Sequence, residues 1–146
     1  TGVELINDPH LEADGTLLSH GDSFCIDDAA YQQVRALFRS QNWQQEVLSQ
    51  SLDARRELAR NLRAQSQETN ANKAENIMDV ALGEVDRVAL ELGAKRMIHG
   101  HTHRPGRHTH TWGNRYVLGA WERCAWVARQ AGAGEEPALS CLPLQK

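Results

Sequence analysis

Two short apolar runs in this chain end in the same dipeptide. Leu17 and Leu18 lead through Ser19 into His20-Gly21, and Met97 and Ile98 lead into His99-Gly100. Short apolar runs bounded by turn residues read as strands. Between them lies a long stretch whose apolar residues recur at helical spacing. In "DDAAYQQVRALFRS", Tyr31, Val34, Leu37 and Phe38 share one face, with Asp27 or Asp28 placed to cap the helix. "LDARRELARNLRAQSQE" puts Leu52, Leu58, Ala59 and Leu62 on one side and Arg55, Arg56, Arg60 and Arg63 on the other. A further helix, "GEVDRVALELGA", is expected to bury Val85, Val88, Ala89 and Leu92 and to stop at Gly93. After the second His-Gly strand come two more, within "WGNRYVLGAW" and "CAWVAR", and then a loose tail containing Gly132 and Gly134. Strand, helices, strand, strand, strand is the order of a mixed α/β domain. The helical stretch from about 30 to 78 is too long for a simple crossover and too amphipathic for a linker, so it reads as an insertion.

The bulk properties narrow the function classes. A chain of 146 residues is long enough for one domain with a real core. A net charge of −3 argues against a nucleic-acid binder that works by bulk positive charge. No apolar run approaches the roughly 20 residues of a membrane-spanning helix, and no basic start followed by an apolar core marks a signal peptide. Cys25, Cys124 and Cys141 are odd in number, widely spaced and without a CxxC pair. They read as free thiols in a reducing compartment, the cytosol.

Histidine is the unusual residue: the chain has seven, five of them between 99 and 110. Side chains at i and i+2 of an extended chain point the same way, with α-carbons roughly 6.5–7 Å apart. His99, His101 and His103 are therefore able to share a side. Neutral imidazoles so arranged suit a divalent metal; a solvent-exposed polar loop fits the same spelling. His20 adds weight to the first reading, because active sites of α/β folds collect at the carboxyl ends of strands.

"LSHGD" and "IHGHTHRP" resemble motifs of the calcineurin-like metallophosphoesterases. "SHGDSFCIDDAAYQQVR", "LRAQSQETNANKAENIMDV" and "VLGAW" narrow the resemblance to the UDP-2,3-diacylglucosamine diphosphatase family of the bacterial lipid A pathway, in that family's order and over nearly the whole chain. GHTH alone marks the superfamily; the helical segment with IMDV is more specific. The resemblance implies part of a metallophosphoesterase β-sandwich flanked by helices, with an inserted helical lid at 30–78. It also implies that residues 1–146 are the C-terminal part of a single domain. The family's DxH, GD and GNRD motifs supply most of a two-metal ligand set, and this chain lacks the last two. Asp8 and His10 in "INDPHL" mimic the first, but His20 follows too closely for the intervening strands, and they read as a decoy.

Carried over position by position, the resemblance makes His20, His101 and His103 ligands of manganese, with His101 also close enough to touch a substrate phosphate. His99 becomes a strand residue, and His108 and His110 become surface residues or supports behind the ligands. The implied chemistry is two-metal hydrolysis of a pyrophosphate, giving UMP and an acylated glucosamine 1-phosphate. With most ligands missing, the chain alone is expected to be inactive. Asp28, Ser66, Asn70 and Lys73 are implied contacts to the glucosamine and phosphate. Ser66, Asn70 and Lys73 stand at i, i+4 and i+7, one helix face, as an ordinary solvated face also would. Leu48, Leu52, Leu58, Leu62, Ile77 and Met78 either line an acyl cleft or form core. The arginine side suits an anionic membrane surface, or solvent with Glu57 and Glu68 as partners. A cytoplasmic enzyme held peripherally on the inner membrane of a Gram-negative bacterium is the implied setting. Open alternatives are a metallophosphoesterase for another nucleotide-linked or phosphodiester substrate, and a non-catalytic lipid- or nucleotide-binding module.

Overall fold

The computed structural model describes residues 2–71 and 79–144, with side chains through residue 68 in the first span. The chain forms two compact units. One runs to Phe24 and resumes at Val80; the other is Cys25–Asp79.

The first unit is built on a five-stranded sheet. Its strands are β1 (His10–Leu11), β2 (Thr16–Ser19), β3 (Arg96–His99), β4 (Gly106–His110) and β5 (Gly113–Val117), in the order β1-β2-β3-β5-β4. β2, β3 and β5 are parallel, and β1 and β4 run antiparallel at the two edges. The register places Leu17 beside Met97 and Arg115, and Ser19 beside His99 and Val117, so one face carries Leu17, Met97, His99, Arg115 and Val117, all buried. Helix α4 (Leu82–Leu92) lies on this face: Val85 and Ala89 are fully buried and Asp86 reaches His110. Each large apolar side chain so buried stabilises by roughly 1.5–3 kcal/mol. The opposite face carries Thr16, Arg96 and Tyr116, also buried. Residues 130–136 serve it with polar partners: Arg96 donates to the Gly134 carbonyl, and the Tyr116 hydroxyl donates to Glu136. Asp14 closes that end, accepting from Gln130, Gly134 and Thr16, which together hold its carboxyl well below the usual range. A sheet with both faces covered is what parallel strands require.

Helix α4 stops where the sequence predicts. Gly93 adopts φ 67°, its N–H bonds to Leu90, and Ala94 N–H bonds to Ala89, a glycine-terminated helix end. Leu92, expected in the core, is instead 39% exposed; the buried stripe is the narrower pair Val85 and Ala89. A strand that the sequence reading did not predict follows the Pro-Gly dipeptide: β4 is an edge strand whose polar, exposed residues hide the strand pattern. A further expectation fails. The tail, read as loose, contains β7 (Ala138–Pro143), which pairs antiparallel with β6 (Cys124–Arg129). On this ribbon Cys124 and Cys141 form a disulfide, correcting the reading of both as free thiols; Cys25 is buried and stands outside the disulfide. The pairing is invisible in spacing because the loop between β6 and β7 has no periodic signal.

The second unit is helical: α1 (Ala29–Phe38), α2 (Gln41–Ser49) and α3 (Leu52–Ala71). Asp28 caps α1, accepting from Tyr31 N–H at 3.0 Å, and Ser40 caps α2, accepting from Trp43 N–H. The breaks fall at Arg39-Ser40 and Gln50-Ser51, and Phe38 stacks on Trp43 across the first. Neither α1 nor α2 buries a residue; Val34 and Leu37, on the apolar face of α1, are 44% and 53% exposed.

Candidate metal centre at the ends of two parallel strands

The register of β2 and β3 brings the two His-Gly dipeptides together. Ser19 pairs with His99 in the ladder, and one step on the Gly100 N–H donates to the His20 carbonyl at 3.1 Å. Asp8 fixes the first strand end from the other side, accepting from the Ser19 hydroxyl at 2.7 Å and the His20 N–H at 3.1 Å. The aspartate read as a decoy is thus a brace for the backbone that carries His20. Gly21 is required where it stands: its φ is +104°, and a Cβ there would lie 2.7 Å from His99 Nδ1.

Beyond Gly100 the chain turns sharply. The Thr102 N–H donates to the Gly100 carbonyl at 2.8 Å, an i to i+2 bond, and the residue between, His101, has φ 63°. That is a γ-turn with positive φ at its centre, the rarer and more strained form. His103 follows with φ 54°. Two non-glycine residues in the left-handed region, two apart, cost roughly 1–2 kcal/mol each. Strain of this kind concentrates at functional sites.

The turn delivers His101 to His20. Their ring centroids are 5.0 Å apart, edge-on at 62°. Two imidazoles bound to one tetrahedral ion, at roughly 2.0–2.1 Å per nitrogen, have centroids about 5 Å apart, so the donor chemistry and spacing fit part of a metal site. His103 stands exposed on the next residue but one. Among the described residues, no group of three or more His, Cys, Asp or Glu side chains is arranged to hold a metal ion. Two imidazoles fall short of the three or four protein ligands a site of this type uses.

His99 points inward and is 1% exposed. Its Nε2 faces Arg115 Nη1 at 3.0 Å and its Nδ1 faces the Gly100 carbonyl at 3.0 Å. The same arginine donates through Nε to His110 Nε2 at 3.2 Å. His110 Nδ1 lies 2.6 Å from Asp86 Oδ1, which also accepts from Trp112 Nε1 at 2.7 Å. The Trp112 hydrogen bond, then that of His110, holds the Asp86 carboxyl below its ordinary value against the opposing effect of burial. Sequence reasoning did not single out Asp86, Trp112 or Arg115. The signal was a charged residue inside the apolar stretch "RYVLGAW", whose hydrogen-bond partners come from β3 and β4.

Of the other expected site residues, Asp28 is buried and caps α1, and Ser66 is exposed on α3. Asn70 lies in the last turn of α3. Lys73, Ile77 and Met78 lie outside the described residues. His108 is exposed on β4.

No protein-family model matches the chain. Curated relatives do. It is 48% identical over 122 residues to a UDP-2,3-diacylglucosamine hydrolase of Cellvibrio japonicus, a match covering 81% of this chain and 51% of the relative. It is 43% identical over 127 residues to one of Chromohalobacter salexigens, covering 82% and 52%. It is 44% identical over 140 residues to one of Hahella chejuensis, covering 91% and 57%. The resemblance read from the motifs is borne out, and the chain spans about half the length of the curated relatives it matches.

Proposed function

We propose that this chain, similar over most of its length to UDP-2,3-diacylglucosamine hydrolases, contributes part of the active site of a manganese-dependent pyrophosphate hydrolase in lipid A biosynthesis. The substrate is UDP-2,3-diacylglucosamine, and the products are UMP and 2,3-diacylglucosamine 1-phosphate. The observation that carries this reading is the edge-on pair of His20 and His101 at neighbouring parallel strand ends.

His20, His101 and His103 are the residues assigned to hold the metal. When bound, a pair of divalent cations supplies a hydroxide nucleophile and offsets charge building on the phosphoryl oxygens. The chain's own residues do the rest. Asp8 and the Gly100 N–H hold the backbone of His20, while the strained turn presents His101. An imidazole must be unprotonated to bind metal, so loading falls in acid. The helical insertion at 30–78 is assigned substrate selection as a lid, with Asp28, Ser66, Asn70 and Lys73 as sugar-phosphate contacts. The arginine side of α3 is assigned to anionic headgroups at the cytoplasmic face of the inner membrane. No helix among the described residues is long and apolar enough to cross a membrane.

The test is a chimera. Fusing this chain to the portion of the Cellvibrio japonicus relative that it does not match should give Mn2+-dependent release of UMP, and His20→Ala or His101→Ala should abolish it. The 146-residue chain alone should show no robust turnover. A folded chimera that binds the lipid product yet releases no UMP would overturn the hydrolase reading.

A further inference from the structure

We propose that Arg115 is a positioning residue for the His101 turn, acting by fixing which ring nitrogen of His99 carries the proton. The importance of the turn rests on reading His20 and His101 as metal ligands. The placement of the proton does not.

A guanidinium only donates hydrogen bonds. With Arg115 Nη1 3.0 Å from His99 Nε2, that nitrogen must accept, and in the neutral ring the proton sits on Nδ1. Nδ1 is 3.0 Å from the Gly100 carbonyl and donates to it. The same carbonyl accepts the Thr102 N–H that closes the turn around His101. One carbonyl oxygen therefore takes two donors, one from inside the sheet and one from across the turn, and the peptide leading into His101 is held from both sides. In the other tautomer the Nδ1 lone pair would face the carbonyl lone pairs and this restraint would be lost.

Arg115 is itself aimed. It stands diagonally from His99, whose ladder partner is Val117, and diagonally from His110, whose partner is Gly113. Its Nε donates to His110 Nε2, so the His110 proton is on Nδ1, facing Asp86. Asp86 on α4 thus anchors His110, His110 orients the guanidinium, and the guanidinium sets His99. Lysine keeps the charge but lacks the planar fork that reaches both rings.

The experiment is long-range proton–nitrogen correlation NMR on the histidine-labelled 146-residue chain, before and during addition of Mn2+. In the wild type, His99 and His110 should each carry their proton on Nδ1. In Arg115→Lys, His99 should lose its single tautomer, and the His101 and Thr102 amides should shift while those of β6 and β7 stay in place. The Mn2+ needed to broaden the His20 and His101 ring signals should rise about tenfold, in the range seen when supports behind metal-binding histidines are removed. A wild-type His99 protonated on Nε2, or on both nitrogens, overturns the proposal without any variant. So does an Arg115→Lys protein with unchanged His99 tautomer and His101 amide. If Mn2+ broadens neither ring in the wild-type chain nor in the chimera that restores the unmatched portion, the metal-ligand reading fails, and the tautomer and amide shifts still decide the role of Arg115.

Discussion

Arg115 on β5 and His99 on β3 meet across two parallel strands, Nη1 to Nε2 at 3.0 Å, with both residues almost wholly buried. Buried polar groups are tolerated where their hydrogen bonds are made. Here they form a polar line through an apolar sheet face, flanked by Met97 and Val117. The line runs from a half-exposed carboxylate, Asp86, to the turn that carries His101. The face that stabilises the domain and the support behind the candidate site are therefore built from the same strands.

Asp86→Asn should weaken the fold in a pH-dependent way. The folded pKa of Asp86 is lowered, first by the Trp112 hydrogen bond and then by His110. A depressed carboxylate contributes stability that is present above its unfolded pKa of about 3.9 and is lost as pH falls through the lower folded value. After discounting for solvent at a side chain 42% exposed, the expected loss is about 1 kcal/mol at neutral pH. Urea midpoints of the two proteins should differ at pH 7 and draw together as the pH falls below about 3.9. A gap that widens in acid would contradict the assignment.

Gly21→Ala should cost more than its one methyl group suggests. The left-handed φ costs roughly 1–2 kcal/mol for a residue with a Cβ, and a Cβ 2.7 Å from His99 Nδ1 adds overpacking of about 1–3 kcal/mol. Together they predict a destabilisation of about 2–5 kcal/mol and a displaced His99 ring. Chemical denaturation checks the first and the His99 ring signals check the second. A loss under about 1 kcal/mol would mean the strand ends have room to separate.

What the sequence made legible follows from range. Leu17, Leu18, Met97 and Ile98 declared their strands through local apolarity, and Gly93 declared the end of α4 through its own backbone freedom. The pairing of His20 with His101 was readable because each follows an apolar run that must pack beside the other. β4 and β7 were not legible, because one is a polar edge and the other is defined only by its partner β6. Arg115 escaped for the same reason. A lone arginine in a strand carries no mark of the two histidines it will meet, since they lie on different strands of the folded sheet.

The Cys124–Cys141 disulfide ties β6 to β7 across a separation of 17 residues. Closing a loop of that length stabilises by about 3 kcal/mol in the chain-entropy account. Reductant should therefore lower the thermal midpoint of the purified chain, and Cys124→Ser/Cys141→Ser should reproduce the lower value and abolish the sensitivity. Buried Cys25 should leave both results unchanged when replaced by alanine, apart from a constant offset. A wild type indifferent to reductant would show that the two sulfurs are not joined in solution.

His101→Gly should separate stability from chemistry. At φ 63° the imidazole-bearing residue holds its backbone at a cost of roughly 1–2 kcal/mol that glycine does not incur. Glycine loses roughly 0.5–1 kcal/mol more chain entropy on folding. The balance predicts a variant as stable as the wild type or up to about 1.5 kcal/mol more so. Yet that variant lacks the ring that meets His20, and in the chimera its turnover should fall more than about a hundredfold. His101→Ala removes the same ring but keeps the backbone strain, so it should be equally inactive and less stable than His101→Gly. Denaturation midpoints paired with UMP release test both halves. If glycine proves the less stable of the two variants, the turn is not strained at this residue. Its positive φ would then give no reason to regard His101 as held in place for function.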